Sequence, residues 1–235
     1  MRSAILFLFF SFNVSATPLS EFFNQSDEFL RKWVMGGDVD YTGVKKNFAQ
    51  IESLYQQIGR MDLSGASETE KKAFYINAYN LIVIYQVAKY YPLKSPMNRS
   101  GFFDQVDHTV AGKKITLNEL EIKELVLTYD DPRIHFALAC AAKSCPPLAS
   151  FAYVPSKLDE QLADRTQKSV NDDEFIRVQS GKNQVAVSKI FDWYKKDFTQ
   201  NGQTITEFLN KYRQNPIPSS YQLTYYEYDW SLNDM

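Results

Sequence analysis

From Ala73 to Ala88 apolar side chains fall on nearly every face of a helical projection. Such a pattern predicts a buried helix rather than a half-exposed amphipathic one. Its start is marked by Ser67-Glu68-Thr69-Glu70, a capping box in which the Ser67 hydroxyl and the Glu70 carboxylate each satisfy an open backbone donor. Pro92 marks its end, so the helix is expected over 68–90. Two amides, Asn77 and Asn80, interrupt the apolar run three residues apart and share a face. An unpaired buried amide costs about 1–3 kcal/mol, so each needs partners. Either it braces loops against the helix, or it lines a pocket and donates to an oxyanion.

Helical stripes precede this element. Leu19 to Val34 carries Phe22, Phe23, Phe29, Leu30 and Trp33, and Val44 to Ile58 carries Val44, Phe48, Ile51, Leu54, Tyr55 and Ile58 at three- and four-residue spacing. After it, 109–116 reads as a hairpin turning near Gly112 and Leu117 to Leu127 as a short helix. Arg133 to Cys140 alternates in part, which favours a strand with Ile134, Phe136, Leu138 and Cys140 on one face. Asp131-Pro132 could equally be an N-cap and first-turn proline opening a helix. A helix capped by Ser156 is expected to Val170, and a second hairpin joins 175–179 to 184–188. Helices are expected at 190–198 and 204–212 and a last strand at 222–228. Helices and short hairpins mix without a regular strand–helix repeat, so the fold class is α+β, with helices and short antiparallel hairpins around a central buried helix.

Composition narrows the function classes. The 235 residues carry 26 Lys+Arg against 28 Asp+Glu, a balance without the basic footprint of a nucleic-acid binder. Residues 1–16 have the form of a signal peptide: Arg2, the apolar run Ala4 to Phe12, then Val14-Ser15-Ala16. That run is about half the length a membrane-spanning helix needs, and no other stretch qualifies. The expectation is a periplasmic or secreted protein in which 17–235 forms one globular domain, since no linker or repeat divides it.

Candidate chemistry collects in Asp131 to Leu148, which holds both cysteines, one of the two histidines and three of the nine prolines. In an oxidising compartment a Cys140–Cys145 disulfide is the default, and so short a loop limits its entropic gain to about 2 kcal/mol. Alternatively one cysteine is a nucleophile or redox centre, with Lys143 lowering its pKa. A base is then needed within hydrogen-bond reach. Five residues put His135 on the wrong face for Cys140 in a strand and about 140° away in a helix; it could reach Cys145 if the chain turns back, and His108 could arrive through the fold. The C-x4-C spacing differs from the C-x-x-C of thioredoxin-like sites, and the Cys and His spacing matches no common zinc site. No cofactor or metal is expected. Glu119, Glu121, Glu124, Asp130 and Asp131 read as a solvated charge cluster, and Tyr225 to Trp230 as a strand and its cap rather than a binding surface.

Several of these motifs together resemble the domain of unknown function 547 family. Ala73-Phe74-Tyr75-Ile76-Asn77-Ala78-Tyr79-Asn80 is similar to its A-F-W-I-N-x-Y-N, and Asp131 to Leu148 to D-P-R-I-H-F-A-L-x-C-x-x-K-S-C-P-P-L. Tyr91 to Ser95, Gly112 to Leu117, Leu158 to Leu162, Ser188 to Tyr194 and Tyr228 to Asp234 follow in family order, so the resemblance spans about 40–235. It implies no activity. Where the family usually reads I-E-H this chain has Leu120-Glu121-Ile122, so a histidine is replaced by Ile122. Three functions stay open. The first is a papain- or transglutaminase-like hydrolase or acyl transferase using Cys145 or Cys140, His135 or His108, and Asn77 or Asn80. The second is a thiol–disulfide or small-thiol-binding protein. The third is a non-catalytic module, held by a structural disulfide, that binds an envelope protein.

Overall fold

In the computed structural model, which describes residues 17–235, Thr17 caps the first helix, α1 (Pro18–Trp33), its hydroxyl accepting from the Ser20 N–H. The signal-peptide assignment, at 1–16, lies outside the described residues. α1 buries the stripe Leu19, Phe22, Phe23, Phe29, Leu30 and Trp33. A tight hairpin, β1 (Val34–Met35) with β2 (Asp38–Val39), turns the chain. At its turn Gly37 has φ +101° and lies so close to Pro147 that an added Cβ would meet that ring at 2.5 Å, so only glycine fits.

The stripe expected as one helix over 44–58 divides into α2 (Tyr41–Lys46) and α3 (Phe48–Arg60). Asn47 breaks it: at φ −112°, ψ 34° it leaves the helical conformation, and its side chain, at 2.9 Å, joins its own N–H on the Gly43 carbonyl to close the first helix end.

α4 (Glu68–Tyr90) follows its sequence signals at both ends. The Ser67 N–H donates to Glu70 at 2.8 Å while the Glu70 N–H donates to Ser67 Oγ at 3.3 Å, completing the capping box. Every residue from Ala73 to Ala88 is buried. α1, α2 and α3 pack against this helix and cover it. No helix among the described residues is long and apolar enough to cross a membrane.

Beyond α4, β3 (His108–Val110) pairs antiparallel with β4 (Lys113–Ile115) as expected. The predicted helix after it is one helical run of three pieces, α5 (Leu117–Glu119), a π-helical segment (Leu120–Val126) and α6 (Leu127–Tyr129). The expected strand over 133–140 is not formed. Asp131 instead accepts from the Arg133 N–H at 3.0 Å and starts a 3₁₀ turn, Pro132–Phe136, so the Asp-Pro cap outweighs the partial alternation. Arg133 and Lys72 both pair with this carboxylate, and against the opposing effect of burial they hold it down at about 2.

α7 (Leu158–Val170) begins after a 3₁₀ turn at Pro155–Lys157, and Ser156 does not cap it. The second hairpin forms as β5 (Ile176–Gln179) and β6 (Gln184–Val187). Between it and the last strand lie α8 (Ile190–Trp193), α9 (Lys195–Phe198) and α10 (Ile205–Asn210). β7 (Gln222–Tyr225) joins β6 in parallel, so this sheet is mixed where antiparallel hairpins alone were expected, and it ends three residues short of the predicted 228. The N-terminal helices and α5 gather round α4, α8 to α10 pack with the three-stranded sheet, and together they form an α+β domain. A second aromatic core, built on Phe136, Phe175, Phe191, Phe198 and Phe208, lies under that sheet.

The α4 amides are joined to loops. Asn77 Nδ2 donates to the carbonyls of Ala73 at 2.8 Å and Tyr153 at 2.7 Å, and its Oδ1 accepts from the Tyr153 N–H at 2.9 Å. Replacing Asn77 by Ala strands both buried backbone groups of Tyr153. We expect a loss of about 2–4 kcal/mol in urea denaturation, and a midpoint like the parent's would show the bonds to be dispensable.

Candidate functional site

Asn80 sets the geometry of the cysteine loop. Its Nδ2 donates to the Ala137 carbonyl at 2.8 Å and its Oδ1 accepts from the Ala139 N–H at 2.9 Å, gripping the backbone on either side of Leu138. With these bonds made, neither Asn77 nor Asn80 lines the cavity described below, and both act as braces. Immediately after the grip, Ala141 takes φ +59°, a left-handed turn that a non-glycine residue adopts at a cost of about 1–2 kcal/mol. The turn folds Cys145 back onto Cys140.

The two sulfurs lie 2.8 Å apart as free thiols. This corrects the expected disulfide: a bond would require about 2.05 Å. Cys145 Sγ also accepts from the Cys140 N–H at 2.9 Å, and Cys140 Sγ lies 3.1 Å from the Tyr228 hydroxyl. Cys145 is buried, whereas Cys140 is partly exposed.

These contacts separate the two thiols electrostatically. Burial alone would raise the Cys140 pKa, but hydrogen bonds from Cys145, Tyr228 and the Ala142 backbone outweigh it and bring this thiol below its ordinary value. Burial and the neighbouring Cys140 charge raise Cys145 instead. When the pair loses its first proton, Cys140 is the thiolate and Cys145 keeps a thiol that donates to it. Lys143, expected to lower a cysteine pKa, is at the surface 4.0 Å from Asp38; hydrogen bonding carries the shift.

Cys140 and Cys145 open onto a cavity of about 270 Å³. His135 forms part of its wall. The 3₁₀ turn aims the ring there, where its Nε2 meets Asp197 Oδ2 at 2.8 Å and its face lies on Tyr194, centroids 4.1 Å apart. Glu121 joins from the π-helical segment, accepting from the Tyr194 hydroxyl at 2.6 Å. π-Helical turns often occur at functional sites because they redirect side chains. Burial and then Glu121 raise the Tyr194 pKa, so its hydroxyl stays a donor. Ile122, at the family's histidine position, does not line the cavity.

The aromatic wall comes from the C-terminal third. Trp193, Tyr228 and Trp230 cluster with centroids 4.7–6.0 Å apart. The tail is stitched to the cysteine loop: the Lys143 N–H donates to Ser231 O at 2.9 Å, the Asp229 N–H to Ser144 Oγ at 2.8 Å, and the Asn233 N–H to Ala141 O at 3.1 Å. Tyr228 and Trp230, read as a strand and its cap, are thus cavity residues, and Glu121, read as a solvated charge, faces the same space. Neither was distinguishable by spacing alone. The signals that point to them are the density of aromatics in 225–230 and their position beside the family motif at Leu120-Glu121.

Residues 63–169 match the family model described as protein of unknown function, DUF547. This segment carries a DUF547 domain. The matched segment contains α4, Glu121, His135 and both cysteines, while Asp197, Trp193, Tyr194, Tyr228 and Trp230 lie beyond it. The cavity therefore joins the DUF547 segment to flanking sequence. Neither the curated proteins nor the solved structures compared with the chain include a match.

His108 stands apart from the cavity. It is buried on β3, its Nδ1 3.1 Å from the Tyr55 hydroxyl, and burial followed by the nearby Lys89 charge brings its pKa down to about 4. The unfolded chain binds the extra proton between about pH 6.5 and 4, so stability falls as pH is lowered through that window, by about 3 kcal/mol at most. His108→Gln should flatten this stretch in urea titrations across pH; an unchanged slope would assign it elsewhere. At the thiols, iodoacetamide should label Cys140 ahead of Cys145 and below the pH of an ordinary thiol. Tyr228→Phe removes a donor to the thiolate and should move that profile to higher pH, an effect read by peptide mass; a stationary profile would exclude the Tyr228 bond as its cause.

Proposed function

We propose that this chain carries out thiol–disulfide exchange on small disulfides, with Cys140 as the attacking thiolate and Cys145 as the resolving thiol. The reading is carried by one observation: two free sulfurs 2.8 Å apart at a cavity, with opposite pKa displacements. Attack on a disulfide needs a thiolate, and resolution needs a second sulfur within reach of the first. Shortening the contact by less than an ångström makes the bond.

The exchange balances in two steps. Cys140 Sγ attacks one sulfur of the substrate, forming a mixed disulfide, while the substrate S–S bond breaks and the first thiolate leaves. Cys145 then gives up its proton and its sulfur attacks Cys140 Sγ. The Cys140–Cys145 bond forms and the second substrate thiolate departs. Two electrons pass from the protein pair to the substrate, and a small thiol reductant returns the pair to dithiol. His135, held by Asp197, is the group in the wall suited to protonating a leaving thiolate. The pattern of residues 1–16 supports export, which would bring the pair into a compartment where disulfides abound.

The His135–Asp197 pair also favours a second reading, acyl transfer through a Cys140 thioester, since a cysteine nucleophile uses an oriented imidazole. One experiment separates the two. With bis(2-hydroxyethyl) disulfide, Cys145→Ser should trap a mixed disulfide on Cys140 by intact mass, Cys140→Ser should stay unmodified, and the parent should lose two hydrogens. A parent that instead accumulates an acetyl adduct from p-nitrophenyl acetate, with no loss of hydrogens from the disulfide, would overturn exchange in favour of acyl transfer.

A further inference from the structure

The cavity has an electrical character that thiol chemistry alone does not require. Among its described lining residues there is no lysine or arginine. Glu121 contributes a carboxylate whose hydrogen-bond partner among the described residues is the neutral Tyr194 hydroxyl, on Oε1; Oε2 has none, and no cation pairs with the group. Trp193, Tyr228 and Trp230 line the same cavity as one cluster, with Phe103 6.3 Å from Trp230. Trp193 is half exposed, so part of this aromatic cluster is open to a ligand from solvent.

A carboxylate that shares a cavity with indole and phenol rings attracts one ligand chemistry. The negative faces of the rings draw a cation whose hydration is weak, and the carboxylate supplies the opposing charge. An anionic ligand would meet Glu121 and the Cys140 thiolate without any lysine or arginine in the wall to offset them. We infer that the cavity binds a small cation, an ammonium or quaternary ammonium group seated between Glu121 and the Trp193–Tyr228–Trp230 cluster. Resting on the exchange reading, the substrate class becomes a small disulfide carrying an ammonium group. Glu121 acts on the thiol as well, since its charge opposes ionisation of Cys140. A cation between them removes that opposition, so ligand binding and thiolate formation favour each other.

Two measurements keep the cation site and the exchange reading separate. The first uses a Cys140→Ser, Cys145→Ser protein, which has no thiols, titrated with butyltrimethylammonium and with its neutral isostere 3,3-dimethylbutanol by tryptophan fluorescence. The cation should bind at least tenfold more tightly. Glu121→Gln and, independently, Trp193→Leu should each weaken it tenfold or more, with circular dichroism unchanged. Equal binding of the two probes, or Glu121→Gln without effect in a folded protein, would overturn the cation site. The second compares cystamine with bis(2-hydroxyethyl) disulfide on the thiol-containing protein, each rate divided by that with free N-acetylcysteine. Cystamine should be favoured at least tenfold, and Glu121→Gln should abolish the preference. Exchange without that preference would overturn the substrate class, whereas cation binding with no exchange of either disulfide would overturn the exchange reading and leave the cation site standing.

Discussion

An amide buried on an all-apolar helix must find its partners in whatever packs against it, and Asn80 finds both of its partners in the segment that leads into Cys140. Its two bonds, to Ala137 O and the Ala139 N–H, hold a stretch of irregular backbone that no ladder supports. Everything downstream depends on that grip. The left-handed Ala141, the return of Cys145 and the 2.8 Å approach of the sulfurs require the loop to enter at one angle. Asn77 fixes the Tyr153 segment in the same way, so one helix face positions both ends of the sulfur-bearing stretch. A buried polar group that is fully paired specifies a unique arrangement, because every alternative leaves it unpaired.

The thiol pair in turn converts small differences of placement into different chemistry. The two sulfurs are joined by a hydrogen bond, yet Cys140 also receives Tyr228 and the Ala142 backbone, whereas Cys145 is deeper and feels mainly desolvation. The tyrosines around them are pushed upward by burial and by the same charges, so they remain neutral donors where lysine would have added charge. Stabilisation by hydrogen bonds rather than by a cation keeps the cavity free to prefer a charge of its own choosing.

Local signals made most of the fold legible. The capping box at Ser67, the hairpin at Gly112 and the hairpin across Ser180-Gly181 depend on residues within a few positions of one another, and each stands where the pattern predicts. The 133–140 segment misled because its alternation competes with an Asp-Pro cap that Arg133 reinforces locally and Lys72 joins from 59 residues away. Asn47 split a regular stripe for a similarly small reason, one side-chain bond. The site was half legible. Cys140, Cys145 and His135 lie in one motif and meet at one cavity, but Glu121, Tyr194 and Tyr228 reach it through tertiary packing. The separations are 73 residues for the Glu121–Tyr194 bond and 88 for the Cys140–Tyr228 contact. Periodicity cannot report such distances.

The dependence of the cavity on its last residues gives the protein a sequence of events in time. Cys140 and Cys145 are synthesised long before Tyr228, Trp230 and the Ser231–Asn233 strap that covers their loop. A growing chain therefore displays a bare thiol pair, without the phenol that favours one thiolate and without the aromatic wall, until residues 228–233 dock. Docking of residues 228–233 is itself the event that turns two ordinary cysteines into an asymmetric pair, because the phenol and the strap that set them apart lie more than 80 residues further along the chain.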